Sequence, residues 1–148
     1  MTMLTPEDQA RLDALYGADQ KSGLLATMGI EFLEVKAGRV VARMPVEGNT
    51  QPYGLLHGGA SCVLAETIGS TGAAVHAGPG RIAVGVEINA THHRSATSGY
   101  VTGVATLLHG GRSIATYDIE ISDEQGRRVC TSRLTCMLRD RPDVPPHS

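Results

Sequence analysis

Between Gly48 and Gly80 the chain carries one Asp, Glu, Lys or Arg only, Glu66, in a run that is otherwise apolar, small or uncharged. Residues 55–70 open on two leucines, a His and a pair of glycines and then read Ala-Ser-Cys-Val-Leu-Ala-Glu-Thr-Ile-Gly-Ser, helical in length and with no charged face. A helix that is apolar all round is a buried helix, so this segment predicts a central helix ending at the strong stop Gly78-Pro79-Gly80. A lone carboxylate there is costly unless it is hydrogen-bonded or lines a cavity. Glu66 therefore lies either on a narrow exposed strip or in the wall of a site. The lack of any other charge on the helix favours the site.

The remaining segments supply cover for that helix. Thr5-Pro6-Glu7-Asp8 is a helix start, with Thr as N-cap, Pro in the first turn and acids behind it; Gly17 closes the helix. Leu24, Leu25 and Met28 add one or two turns before Gly29. Strands follow over 30–36 and 39–47. In the second, Val40, Ala42, Met44 and Val46 alternate with Arg39 and Arg43, and Pro45 marks an edge or a strand end. After the helix come four strands, over 82–94, 100–109, 112–122 and 127–138, which read as a meander. Tyr117, Ile119 and Ile121 alternate with Asp118 and Glu120, and Asp123-Glu124-Gln125-Gly126 is a hairpin turn. The expected layout is a helical cover over 1–29, a main domain over 30–139 and a disordered tail over 140–148, where two prolines stand in tandem. An antiparallel sheet curled around the one helix is the economical α+β solution, and its edges would be protected by pairing across a dimer.

A net charge of −2 and the absence of Trp give no reason to expect nucleic acid or a membrane surface as partner. Cys62, Cys130 and Cys136 make an odd set without Cys-x-x-Cys spacing, which suits a reducing compartment; with no secretory leader, the cytoplasm is the expectation. His92 and His93 are strand neighbours and point to opposite faces, so no metal site is expected there, and no cofactor is expected either. The glycines and small residues Gly69, Gly72, Ala73 and Ala74 suggest room beside the helix.

Gly58 and Glu66 stand eight positions apart, a helix rise of roughly 12 Å. One helix cannot bring both to the same small group of atoms. If both act on one carbonyl, Gly58 of one chain must face Glu66 of another, in a homodimer with two helices side by side.

The run over 49–60, followed by Leu64-Ala65-Glu66 and Ser70, resembles the PaaI-like hot-dog-fold acyl-CoA thioesterases, a group that includes aroyl-CoA thioesterases and the enterobactin proofreading thioesterase. His-Gly-Gly alone would be weak. With Gln six residues before the His and Glu nine after it, the pattern is fairly specific, and the likeness continues through 84–95 and 108–112. The resemblance implies a hot-dog fold: an antiparallel sheet wrapped around one long helix. It also implies hydrolysis of an acyl- or aroyl-CoA thioester in a homodimer, commonly paired into a homotetramer.

By that analogy Glu66 is the catalytic carboxylate, as nucleophile or as general base on water. The Gly58 N–H, at a helix N-terminus, would hold the oxyanion. His57 would line the same pocket, Gln51 would hydrogen-bond near the thioester, and Ser70, four residues on from Glu66, would orient its carboxylate or a water. Asn89, His92, Arg94 and Ser95, and the turn Gly110-Gly111-Arg112-Ser113, are the candidates for CoA, Arg as a fork for phosphate and Gly-rich backbone as donor. Arg94-Ser95 reads equally well as a strand end, and the Gly-rich turn as a plain hairpin. The chemistry agrees with the assignment, because a thiolate leaves readily and a carboxylate with preorganised N–H donors can suffice. No Gly-x-Ser-x-Gly elbow is present, and Cys62 reads as core packing. The rivals are a hot-dog hydratase or dehydratase, whose His-containing loop this chain lacks, and a non-catalytic acyl-CoA binder, which would not need Glu66.

Overall fold

The computed structural model describes residues 4–18 and 23–142. Two short helices, α1 (Pro6–Tyr16) and α2 (Gly23–Met28), precede strands β1 (Glu31–Val35) and β2 (Arg39–Pro45). The central helix α3 (Gly58–Ala77) follows, and then β3 (Arg81–His92), β4 (Tyr100–Gly110), β5 (Ile114–Ser122) and β6 (Arg128–Asp140). The first helix starts as its residues dictate: Thr5 accepts from the Asp8 N–H at 3.1 Å, and Asp8 accepts from the Thr5 N–H at 3.2 Å. The tail over 143–148 lies outside the described residues.

All six strands form one antiparallel sheet in the order β1-β2-β4-β5-β6-β3. This corrects the expected meander. β4 follows β3 in the chain but pairs with β2, and β3 pairs only with β6 at the far edge. Alternation within each strand is satisfied by either arrangement, since period two says which face is buried and not which neighbour is met. Wrapping decides it: the sheet has to reach around α3 from both sides, so the strand leaving the helix is laid down at the margin.

The inner face carries the core. Val40, Ala42, Met44, Tyr117, Ile119, Ile121 and Leu134 are fully buried against Leu64, Ala65 and Ile68 of α3. Two helix glycines let the sheet come this close. A Cβ on Gly69 would stand 2.7 Å from Leu134 Cδ2, and one on Gly72 would stand 2.7 Å from the ring of Tyr117. The room expected beside the helix at these two positions is thus filled by the chain's own core. The helix is not buried all round, however. Gly59 and Glu66 are exposed, and Val63, Thr67, Ser70 and Ala74 are half-buried along the same side. α1 covers a different part of α3, where the Tyr16 hydroxyl meets Thr71 Oγ1 at 2.6 Å.

Candidate active site

The loop over 48–57 sets the start of α3 by a chain of backbone bonds. The His57 N–H donates to Asn49 O at 2.9 Å, Leu56 N–H to Ala96 O at 2.8 Å, and Gln51 N–H to Leu55 O at 2.8 Å. Asn49 fixes this loop to the body of the protein. Its side-chain amide donates to Met28 O at 2.9 Å and to Pro45 O at 2.8 Å. The sequence reading assigned Asn49 no role of its own.

His57 is the N-cap of α3, and its Nδ1 accepts from the Gly59 N–H at 2.8 Å. In the neutral ring the proton is therefore on Nε2, a donor. The ring is exposed and stands outside the cleft described below, so His57 does not line that cleft in the isolated chain. His57 O accepts from the N–H groups of Ala60 and Ser61. The Gly58 N–H alone in this first turn finds no acceptor among the described residues.

Gly58 lines a cleft of about 330 Å³, whose walls also include Gln51, Leu56, Ser61, His92 and Arg94. Ser95 belongs to the same walls. Gln51 Oε1 turns back on its own loop and accepts from the N–H groups of Tyr53 and Leu55, at 2.5 and 3.5 Å. Its NH2 group is left as the free end, so Gln51 presents donors. His92 lies over Gly58: a Cβ there would stand 2.9 Å from His92 Nε2. Its neighbour His93, just beyond the end of β3, meets Thr131 Oγ1 at 2.9 Å and lines the same cleft, so the two histidines are not on opposite sides of it as alternation along a strand predicted. Backbone and side-chain donors thus converge on one end of the helix, where the helix dipole also favours negative charge. Leu55, Leu56, Ser61, His93 and Val129 also line the cleft and were not foreseen as site residues. The signal for Ser61 was its position three residues beyond Gly58, one turn along the same face.

Glu66 is elsewhere. It projects from the exposed side of α3 onto the middle of β3, where a Cβ on Gly85 would stand 2.5 Å from its Oε1. Its carboxylate has no hydrogen-bond or ion-pair partner among the described residues. The Ser70 hydroxyl, expected to orient that carboxylate, donates instead to the backbone carbonyl of Glu66. Back-bonding to the carbonyl one turn earlier is the usual outlet for a serine inside a helix. Cys62 is half-buried in the second turn; burial, and then the Glu66 charge, push its thiol up, away from a reactive thiolate.

The candidates for CoA fall in three places. Arg94 and Ser95 sit at the cleft, by the N-terminus of α3. Gly110-Gly111-Arg112-Ser113 is the β4–β5 turn at the other end of the helix, where His76 Nε2 meets Gly111 O at 2.8 Å. Gly58 and His76 are some 27 Å apart along α3 by helix rise. Arg112 O accepts from the Arg81 guanidinium at 2.9 Å, and Ser113 O from the Leu138 N–H at 2.8 Å. Asn89 is exposed on β3 outside the cleft, its amide donating to Glu87 at 3.3 Å. No group of three or more His, Cys, Asp or Glu side chains that could hold a metal ion comes together among the described residues.

A family model described as the thioesterase superfamily matches residues 53–130, the segment from the loop before α3 into β6. The chain belongs to the thioesterase superfamily. It is 46% identical to the proofreading thioesterase EntH of Klebsiella pneumoniae over 122 residues, covering 82% of this chain and 89% of that one. A thioesterase structure from Haemophilus influenzae superposes with a TM-score of 0.83 at 34% identity, covering all of both chains. A thioesterase structure from Pseudomonas aeruginosa gives 0.83 at 36% identity, covering 93% of this chain and 97% of that one. The fold is therefore the hot-dog fold, and this thioesterase is an enzyme that hydrolyses a thioester. None of its described helices is long and apolar enough to cross a membrane.

Proposed function

We propose that this thioesterase hydrolyses an acyl- or aroyl-CoA, and that each of its sites is shared between two chains. The reading is carried by one observation: Gly58, whose amide is unpartnered, and Gln51, whose side-chain oxygen is already occupied, line one cleft, while Glu66 stands open and without a hydrogen-bond partner among the described residues on another part of the helix. A donor cluster alone can polarise a thioester carbonyl, but it cannot deliver a nucleophile. The carboxylate has to come from a second copy.

The sheet supports such a copy. β3 is an edge strand of 12 residues with no neighbouring strand on its outer side among the described residues, and an edge of that length invites pairing. Ala83, Ile88 and Ala90 pack toward the core, as Gly85 and His92 face the helix, with Val86 as the extra residue of a bulge between Gly85 and Glu87. Residues opposite each other in an antiparallel pair share a face. Pairing two β3 strands about Asn89 keeps every helix-facing residue opposite another and sets His92 across from the partner's Gly85. The Gly58 amide of one protomer then meets the partner's Glu66.

At such a site the substrate carbonyl oxygen takes the Gly58 N–H, with Gln51 as a further donor. Glu66 either attacks the carbonyl carbon, giving an anhydride that water opens, or takes a proton from a water that attacks. In both routes the C–S bond breaks, the electron pair leaves on sulfur as CoA thiolate, and water supplies the proton that the thiol takes up. By the base route the water oxygen enters the acid; by the anhydride route, opened at the Glu66 carboxyl carbon, the acid leaves with a Glu66 oxygen that the water oxygen replaces. Arg94 and Ser95, at the cleft, suit the phosphates of CoA. The cytoplasm, where acyl-CoA pools are held, is the compartment this reading implies.

The test is thiol release from a panel of CoA thioesters, with carrier-protein thioesters as the comparison arm. Glu66→Ala is expected to lower kcat by about 10³-fold or more, since it removes the nucleophile or base. Release from CoA thioesters that is indifferent to Glu66→Ala would sink the mechanism, and release from carrier-protein thioesters alone would sink the CoA assignment. Oxygen-18 incorporated into the enzyme carboxylate in a single turnover would mark the covalent route.

A further inference from the structure

Two glycines face each other's elements in this protein. Gly58 of α3 lies under His92 of β3, and Gly85 of β3 lies under Glu66 of α3. Neither has the left-handed backbone that reserves a position for glycine. Glycine inside a strand weakens it and often marks a close approach by another group, and Gly85 is such a case. Of the neighbours a Cβ would meet, the carboxylate oxygen of Glu66 stands at 2.5 Å, while the next atoms, Glu66 Cδ and Leu134 Cδ1, are at 3.6 and 3.7 Å. The fold has room for a methyl group at this place. The carboxylate does not.

We infer that Gly85 is a positioning residue for Glu66: its bare Cα is the seat on which the carboxylate lies while it faces the partner's substrate carbonyl. The inference rests on the reading of Glu66 as the catalytic carboxylate. An alanine here would leave backbone and core alone and push the end of a flexible side chain aside. A shift of about 1 Å in a reacting group costs on the order of 10²-fold in rate.

The experiment is a double-mutant cycle on thiol release from the best CoA thioester of the panel, with light scattering and thermal melting on each variant. Gly85→Ala is expected to lower kcat by about 10²-fold, with KM changed by less than about threefold, and with the melting temperature and assembly of the wild type. In Glu66→Ala, Gly85→Ala is expected to cost nothing further, because the group it displaces is gone. If Glu66→Ala abolishes turnover while Gly85→Ala turns over like the wild type, Gly85 is not the seat and the mechanism stands. If Glu66→Ala itself is fully active, the reading beneath the inference fails first. Should Gly85→Ala fold poorly, its melting temperature in the Glu66→Ala background decides. Recovery there identifies the carboxylate as what the methyl strikes; equal damage in both backgrounds makes Gly85 a structural residue and overturns the inference.

Discussion

The two ends of the proposed chemistry differ in how completely one chain builds them. At the N-terminus of α3, Asn49 pins the loop, the Gly59 amide fixes the ring of His57, and Gln51 is turned by two backbone amides. Each donor is set before any ligand arrives. Two turns further on, Glu66 lies over Gly85 and has no hydrogen-bond or ion-pair partner among the described residues. Preorganised donors stabilise charge as it develops and need no rearrangement, so a protein gains by building them rigidly. A carboxylate that must reach a neighbour's substrate is better left unclaimed by its own chain. The contrast teaches that the asymmetry is a property of the site and that a dimer would resolve it.

The strongest way to break this comparison is to separate the halves genetically. Gln51→Ala damages the donor end and Glu66→Ala removes the carboxylate, and each homodimer should be nearly inactive. Mixed and allowed to exchange, half the dimers carry one chain of each kind and hold one intact site of two, so activity should return to about a quarter of the wild type. No recovery, with exchange confirmed by mass, would mean that each chain completes its own site. The register sharpens the same point. Asn89→Cys should form an intermolecular disulfide under mild oxidation, since a residue on the axis of an antiparallel pair meets its copy at about 5 Å between Cα atoms. Arg81→Cys, at the far end of β3, should not. Crosslinking at 81 in place of 89 would refute the alignment of His92 with the partner's Gly85.

The same contrast governs what could be read from the residues. Alternation in β2 and β5 and the punctuation at Thr5, Gly78 and Gly126 are local signals, and those elements appear where they were expected. Pairing partners are not local, so β3 was placed beside β4 when it belongs beside β6. Glycines carried the subtlest information. Gly69 and Gly72 suggest room beside the helix, and that room is taken by Leu134 and Tyr117, whereas Gly85 carries no signal beyond being a glycine within a strand. What a missing Cβ makes room for depends on which face it points to, and a bulge at Val86 flips that face partway along β3. The Gly-rich turn at 110–113 matched the composition of a phosphate cradle, yet its carbonyls are held by Arg81 and Leu138 at the opposite end of α3 from Arg94.

The smallest effect concerns the thiols around the open and closed parts of the helix. Cys130 and Cys136 lie on the inner face of β6, and burial pushes each thiol from its ordinary value near 9 up to about 11. The nearby Glu66 charge is the second cause for Cys136 and not for Cys130. A thiol held neutral in the folded state contributes its stability in full below about pH 9 and loses it as the pH climbs through 11. In that window the unfolded chain sheds the proton first and binds fewer, so stability falls as the pH rises. The melting temperature should therefore be level to about pH 8.5 and then decline, at no more than about 1.4 kcal/mol per pH unit for each thiol. Cys130→Ala with Cys136→Ala should flatten that decline, although the doubly substituted protein starts lower for want of packing. Glu66→Gln should end the Cys136 part of the decline at a lower pH and make it smaller, because the charge that helps hold this thiol neutral in the folded state is gone while the unfolded thiol is unchanged. A decline of unchanged shape in Glu66→Gln would place the carboxylate too far from β6 to be the side chain that rests on Gly85.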